Sequence, residues 1–369
     1  MADRSAADPT AVEPTAVEPT VDVIIAVHSA ARPIRRAVSS VLDGTREPVR
    51  VSVVCHNIGV DEIRANLAEV ADDPRVRLLH LADGIPSPAG PFNHGLDAAT
   101  APFTAMLDSD DTLERGAIDS WMTLQRRDNA DAVIQRFAFA TGSPVRTPPA
   151  RPFRTARLDG TRDRLAYRTR QHGLVSRERF GDVRLTPGLR TGEDVEQGLR
   201  IWFSGASISF DRAGPGYLIH LDEQDRTSAS AKPVAEDFAF LDAVIDAPWF
   251  HALGLPQRES IAVKLLRTHV LDAAESRVTS GGLSAGDRDA LRIVVRRILD
   301  ASPTAIGVLG RRDGCIVDAL ATGRADAIAL ELARHRQYWR LGNVIAFAPW
   351  RSLAREAPLR FLAALAVTR

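Results

Sequence analysis

Over the first 140 residues, short β-branched apolar runs alternate with amphipathic stretches, and each run is bounded by turn-forming residues. Val21 to Val27 reads as a strand buried on both faces. Ser29 and Pro33 then open a helix over Ala31 to Leu42, which Gly44 ends. Val49 to Val54 is a second strand, an acid-started helix runs from Asp61 to Ala71, and a third strand spans Val76 to Leu81. Ala82 to Phe92 is a Pro- and Gly-rich loop, Asn93 to Ala99 a short helix, and a fourth strand begins at Phe103. This alternation predicts an α/β fold with a parallel, right-handed, doubly wound sheet.

Further on, Leu113 to Arg126 reads as a helix, Ala132 to Phe139 as a strand, and 141–156 as an exposed Pro/Arg-rich loop. Shorter strands are expected at Gly173 to Val175, Ala206 to Phe210 and Gly216 to His220, with a helix starting near Gly192. From Pro233 the apolar spacing is three and four in 236–245, 260–275, 288–299 and 324–338, which predicts a helical region. Residues 1–20 contain a tandem Pro-Thr-Ala-Val-Glu and cannot bury a core, so they read as a disordered tail. The expected organisation is that tail, an α/β domain over 21–231 and a helical domain over 232–369.

Composition narrows the functional classes. Lys+Arg and Asp+Glu both number 47 in 369 residues, so no global field recruits nucleic acid. Lys232 and Lys264 are the whole lysine content, and this arginine- and alanine-heavy usage suits a GC-rich bacterial genome. Cys55 and Cys315 are too few for a disulfide framework and lack metal-ligand spacing; Cys55 reads as a small buried hydrophobe. No apolar run reaches spanning length, and residues 1–20 lack the apolar core of a signal peptide. A cytoplasmic protein is expected.

The chemistry concentrates where the fourth strand ends in Asp108-Ser109-Asp110-Asp111. Strand ends in an α/β sheet deliver residues to the ligand crevice. Packed carboxylates repel unless a hard cation such as magnesium or manganese sits between them; the plain alternative is an aspartate-rich turn. Asp111 with Glu114 also fits a helix capping box, as does Thr191 with Asp194 in Thr191-Gly192-Glu193-Asp194. Asp108-Ser109-Asp110-Asp111-Thr112 further fits the DxDxT of haloacid-dehalogenase-like phosphatases, with a nucleophilic first Asp. That reading needs a downstream Lys and a further acidic pair, and it normally uses the first strand of a domain.

Val23-Ile24-Ile25-Ala26-Val27, Asn93-His94-Gly95-Leu96-Asp97-Ala98-Ala99, Leu107-Asp108-Ser109-Asp110-Asp111 and Gly192-Glu193-Asp194, in this order, resemble a family 2 glycosyltransferase of the GT-A fold. The resemblance covers roughly residues 21–230. It implies a mixed, Rossmann-like sheet and a metal-dependent inverting transfer of a sugar from a nucleotide-diphosphate sugar to a hydroxyl acceptor, in cell-surface polysaccharide or glycoconjugate synthesis. Ala26, His28, Asn57, Asn93, Asp108 and Asp110 would then lie on the donor side. Asp108 would contact the ribose and Asp110 the Mg2+ or Mn2+ ion. His220 is the candidate further metal ligand and Arg226 the diphosphate clamp. Asp194, beside Glu193, would be the general base.

Two departures stand out. Cys55-His56-Asn57 replaces the acid that the family places after its second strand to read the nucleobase, and Phe92 replaces an Arg. They keep open a degenerate fold serving as a binding module. From Glu331 to Arg369, seven Arg against Glu331 and Glu356 are interspersed with Trp339, Phe347, Trp350 and Phe361. Such text fits either the rim of a helical bundle or oligomer contact, or peripheral contact with the inner face of a membrane carrying a lipid-linked acceptor.

Overall fold

The computed structural model describes residues 18–143, 145, 150–168, 172–222, 232–324, 328 and 341–367. The tail to residue 17, the loop holding Arg226 and the expected helix over 324–338 therefore lie wholly or largely outside the described residues.

Strand β1 (Val21–Val27) leads to helix α1 (Ile34–Leu42), β2 (Val49–His56), α2 (Val60–Leu67), β3 (Val76–Leu81), α3 (Ala89–Asp97) and β4 (Phe103–Asp108). After β5 (Thr112–Leu113) come α4 (Ala117–Asp128), β6 (Ala132–Ile134), β7 (Phe137–Phe139), β8 (Leu174–Ser176), α5 (Arg177–Phe180), α6 (Val195–Trp202), β9 (Ile208–Phe210) and β10 (Tyr217–Ile219). The main sheet is ordered β3-β2-β1-β4-β8-β6-β9, and β5-β10-β7 form a small second one. Strands β1 to β4 are parallel, but β8 runs antiparallel to both β4 and β6, so the sheet is mixed rather than wholly parallel. The architecture is GT-A-like. Its register is what positions a site: Ala26 pairs with Asp108 and Val27 with Cys55, so β1, β2 and β4 end level at one edge.

Three expectations are corrected. The stretch Ala132 to Phe139 is two strands in two sheets. The chain turns at buried Gln135, whose side chain accepts the Gly173 N–H at 2.9 Å. The helix expected from Leu113 begins at Ala117, because Thr112–Leu113 pair with β10 and Glu114 accepts the Gly216 N–H at 2.7 Å. Helix α3 begins at Ala89, inside the expected loop; Pro91 sits in its first turn, where a missing N–H costs nothing. In the middle of that helix, a Cβ on Gly95 would stand 2.3 Å from Ile24, so only glycine lets α3 lie this close to β1.

One core packs α1, α2 and α4 against β1, β2 and β4, around Ile34, Val38, Ile63 and Trp121. After residue 232 the chain is helical: α7 (Val234–Asp237), α8 (Leu241–Ile245), α9 (Pro248–His251), α10 (Leu255–Lys264), α11 (Leu271–Thr279), α12 (Ala285–Ala301), α13 (Ala305–Val308) and α14 (Arg311–Thr322). These helices share one continuous apolar core with β6, β9 and the buried face of α6. No helix among the described residues is long and apolar enough to cross a membrane.

Asp22 on β1 is fully buried. Its carboxylate accepts from Arg50 at 2.6 and 2.8 Å and from the Thr100 and Ala101 N–H groups at 2.7 and 2.9 Å. Burial pushes its pKa up, but Arg50 and the two amides outweigh that and hold it below the usual range. A depressed folded pKa contributes stability above the unfolded value that is lost as pH falls through the folded one. Asp22→Ala is expected to lower unfolding free energy at pH 7 by about 3 kcal/mol, because it strands Arg50 and two amides. Urea melts of both proteins should converge as pH drops below about 4.

Candidate functional site

Because β1, β2 and β4 end level, their last residues open onto a common cleft of about 650 Å³, a usual size for a small-molecule site. Ala26, His28, Asn57, Asp108 and Asp110 line one side. Arg190 to Asp194 close the other. Two acid groups that lie more than 80 residues apart thus share one cavity.

Within the acidic turn the three carboxylates have different partners. Asp108 Oδ2 accepts from the Tyr217 hydroxyl at 3.2 Å and lies 3.3 Å from His172 Nε2. Asp110 Oδ2 pairs with Arg32 Nη1 at 2.8 Å, while Oδ1 makes no hydrogen bond among the described residues. Asp111 is buried and accepts the His220 N–H at 2.8 Å, so it holds the loop rather than capping a helix. Burial, with the charges of Asp108 and Asp110 adding to it, pushes the Asp111 carboxyl up to about 6 despite the His220 bond. Arg32 and Arg36, which bonds Asp222 at 2.7 Å and the Asp110 carbonyl, place cations at this end of the cleft. Sequence reasoning missed both, since α1 and its loop carry no phosphate-binding pattern.

On the opposite wall, Gly192 adopts φ +78°, and a Cβ there would stand 2.7 Å from the Phe240 ring. That turn starts α6 with buried Glu193 and half-buried Asp194 facing the cleft. Asp194 takes the N-cap position without a side-chain cap bond, so the expected Thr191–Asp194 capping box does not form. Behind it lies Lys264, almost fully buried, whose Nζ is 2.5 Å from His269 Nε2. Burial lowers the Lys264 pKa to about 8, with the Asp194 charge acting in the opposite sense. Burial, then Lys264, holds His269 well below the usual range. The pair depends on a π-helical stretch, Leu265–Val270, between α10 and α11. Nothing local in the sequence marks it.

At the end of β2, Asn57 sits at φ 56° and its Oδ1 accepts the Gly84 N–H at 2.9 Å. His56 Nε2 lies 2.9 Å from Asp83 Oδ1, and Asn57 Nδ2 donates to the same oxygen at 3.4 Å. The Ile85 N–H, then His56 and Asn57, hold Asp83 below the usual carboxylate range. An acid from the loop after β3 thus stands against the end of β2. Cys55 is a packing residue; burial pushes its thiol up to about 11.

Not every expected residue joins the cleft. Asn93 spends its amide on Leu185, donating to its carbonyl and accepting its N–H, both at 2.9 Å, while Pro91 and Phe92 face the cavity. Asn93 is therefore a staple between α3 and the 185 loop. His220 Nε2 is 3.0 Å from Thr112 Oγ1. Among the described residues no three His, Cys, Asp or Glu side chains converge as a metal cluster, so a site built from Asp110, His220 and a further ligand is not preassembled. Arg226 lies outside the described residues. A divalent ion such as magnesium needs only one or two carboxylates when phosphate oxygens and water complete its shell. Asp108 and Asp110, with Asp110 Oδ1 open, fit that donor set.

Residues 22–184 match the family described as "Glycosyl transferase family 2". The succinoglycan biosynthesis protein ExoO of Rhizobium meliloti (strain 1021) is 36% identical over 118 residues, which is 31% of this chain and 31% of that protein. The chain thus matches about a third of that relative's length. The crystal structure of S. aureus TarS 1–349 in complex with UDP-GlcNAc is similar with a TM-score of 0.71 at 15% identity, covering 87% of this chain and 93% of that one. The structure of S. aureus TarS 1–349 gives a TM-score of 0.68 over the same shares, again at 15% identity. At that identity the likeness is one of fold. The family match and the place of Asp108 on the fourth strand, behind three parallel strands, overturn the phosphatase reading.

Proposed function

We propose that residues 22–184, which match the family described as "Glycosyl transferase family 2", belong to an inverting, metal-dependent transferase that moves a sugar from a nucleotide-diphosphate sugar to a hydroxyl acceptor. The observation that carries this reading is a single cleft with Asp108 and Asp110 on one side and Glu193 and Asp194 on the other. A donor diphosphate needs cations, and an attacking hydroxyl needs a base. The Asp108–Asp110 wall would hold a cation, and a carboxylate of the 193–194 pair would serve as the base.

On the donor wall, Asp110 would hold the Mg2+ or Mn2+ ion, which when bound stabilises the departing diphosphate, and Asp108 would contact the ribose. Arg32, ion-paired with Asp110, would place its guanidinium donors toward the phosphates once the metal engages that carboxylate. Asn57, with Asp83 and His56 behind it, lies where a nucleobase would be read. The acceptor hydroxyl loses its proton to the Asp194 carboxylate as its oxygen attacks the anomeric carbon, and the bond to the diphosphate oxygen breaks on the opposite face. Asp194 suits this role better than Glu193, because it is half-exposed and spends no bond on capping α6. ExoO is named for succinoglycan biosynthesis and TarS is bound to UDP-GlcNAc; both fit a role here in cell-surface glycan assembly with a sugar or lipid-linked acceptor.

Calorimetric titration of UDP, GDP and dTDP, with and without manganese, tests the donor half. One nucleotide is expected to bind at micromolar strength only with metal. Absence of binding by all three would overturn the reading.

A further inference from the structure

We infer that the face built jointly by residues 151–162 and 350–362 docks on an anionic lipid bilayer. The two segments are more than 180 residues apart, and three observations join them. Arg164 Nη2 donates to the Arg355 carbonyl at 2.6 Å, and Arg355 Nη1 donates to the Arg162 carbonyl at 2.8 Å. The Arg355 guanidinium also stands close enough to Arg360 and Arg151 to feel both charges.

This face is cationic. Arg151, Arg154, Arg157 and Arg162 line an open groove of about 460 Å³, with exposed Asp159 as the one acid in its lining. Buried Asp163 neutralises Arg151 at 2.8 and 2.6 Å. Arg154, Arg157, Arg162, Arg355 and Arg360 make no ion pair with a carboxylate among the described residues. It is also apolar: Phe153 is 94% exposed, Trp350 85% and Leu353 71%, and Leu359 and Leu362 are exposed too. Scattered exposed apolar residues are ordinary; five interleaved with unpaired arginines in two short segments mark an interaction surface. The helix Pro358–Val367 contains no acid and is held from within. Phe361 lies beneath the guanidiniums of Arg164 and Arg267, 5.6 and 5.0 Å from its ring centre, so Leu359, Arg360 and Leu362 are left on the outside.

Charge chooses the occupant. A second copy of this chain would set arginine against arginine across a two-fold contact. A soluble polyanion would engage the arginines and leave Phe153, Trp350 and Leu353 in water. An anionic bilayer uses both sets, with guanidiniums at the headgroups and rings and leucines in the interface. This inference stands apart from the donor-site reading.

The test is co-sedimentation of the full chain with phosphatidylcholine vesicles, plain or mixed with phosphatidylglycerol. Binding is expected only to the mixed vesicles, weakening as added salt shortens the screening length. Arg154→Gln/Arg157→Gln/Arg162→Gln should weaken partitioning roughly a hundredfold, at about fivefold per cation near an anionic surface. Trp350→Ser/Leu353→Ser should weaken it about tenfold with every charge in place. Equal binding to neutral vesicles, or none to either, would overturn the inference. So would a Trp350→Ser/Leu353→Ser variant that binds like the parent, which points to a soluble polyanion, or a parent dimer that these substitutions split in light scattering. Nucleotide titration of each variant reports whether it is folded; failure of the parent to bind nucleotide would count against the donor site alone.

Discussion

Asp194→Asn is expected to lower turnover at least a hundredfold, the low end of what a general base contributes, with donor affinity within about twofold of the parent. The isosteric amide cannot take a proton. Asp194 makes no cap bond that the substitution would break, the amide keeps its volume, and retained donor binding reports that the variant is folded despite the lost charge near Lys264. A fall in kcat therefore reports chemistry rather than unfolding. Donor binding measured beside it separates the two walls of the cleft. If Asp194→Asn keeps more than about a tenth of the parent rate and Glu193→Gln does not, the base is Glu193.

Asp110→Asn is expected to weaken metal-dependent nucleotide binding by about a hundredfold, about 2.8 kcal/mol at 1.4 kcal/mol per decade. An amide oxygen still accepts from Arg32, so the turn keeps its shape while losing the charge a divalent ion would bind. Titration of the variant with and without manganese checks this. The metal should cease to matter. Undiminished manganese-dependent binding would remove Asp110 from the metal site.

How much of this was legible in the sequence depended on range. Strands β1 to β4 came through because each is a short apolar run between turn residues, and β1 and β2 are β-branched and buried on both faces. The acidic turn was visible because it ends such a run. Asp83 was not, since its partners His56 and Asn57 are 26 residues or more away and meet it only through the β2–β3 pairing. Lys264 was hidden more deeply. It reads as an ordinary helix residue, and only the packing of α10 against α6 through a shared core brings its charge to Asp194. The capping boxes at Asp111 and Thr191 failed for one reason: in each case a tertiary bond or a left-handed turn claimed the residue first.

Helix α6 starts at Asp194 in the cleft, and Trp202 and Phe203 at its other end line the arginine groove. Its buried face is also part of the scaffold that the later helices complete. The wall that carries Asp194 is thus backed by the later helices, whereas the Asp108–Asp111 turn is held by the parallel strands together with Tyr217, His220 and Arg32. On the reading proposed above, substitutions in the helical region would reach the Asp194 side of the cleft before the Asp108–Asp110 side.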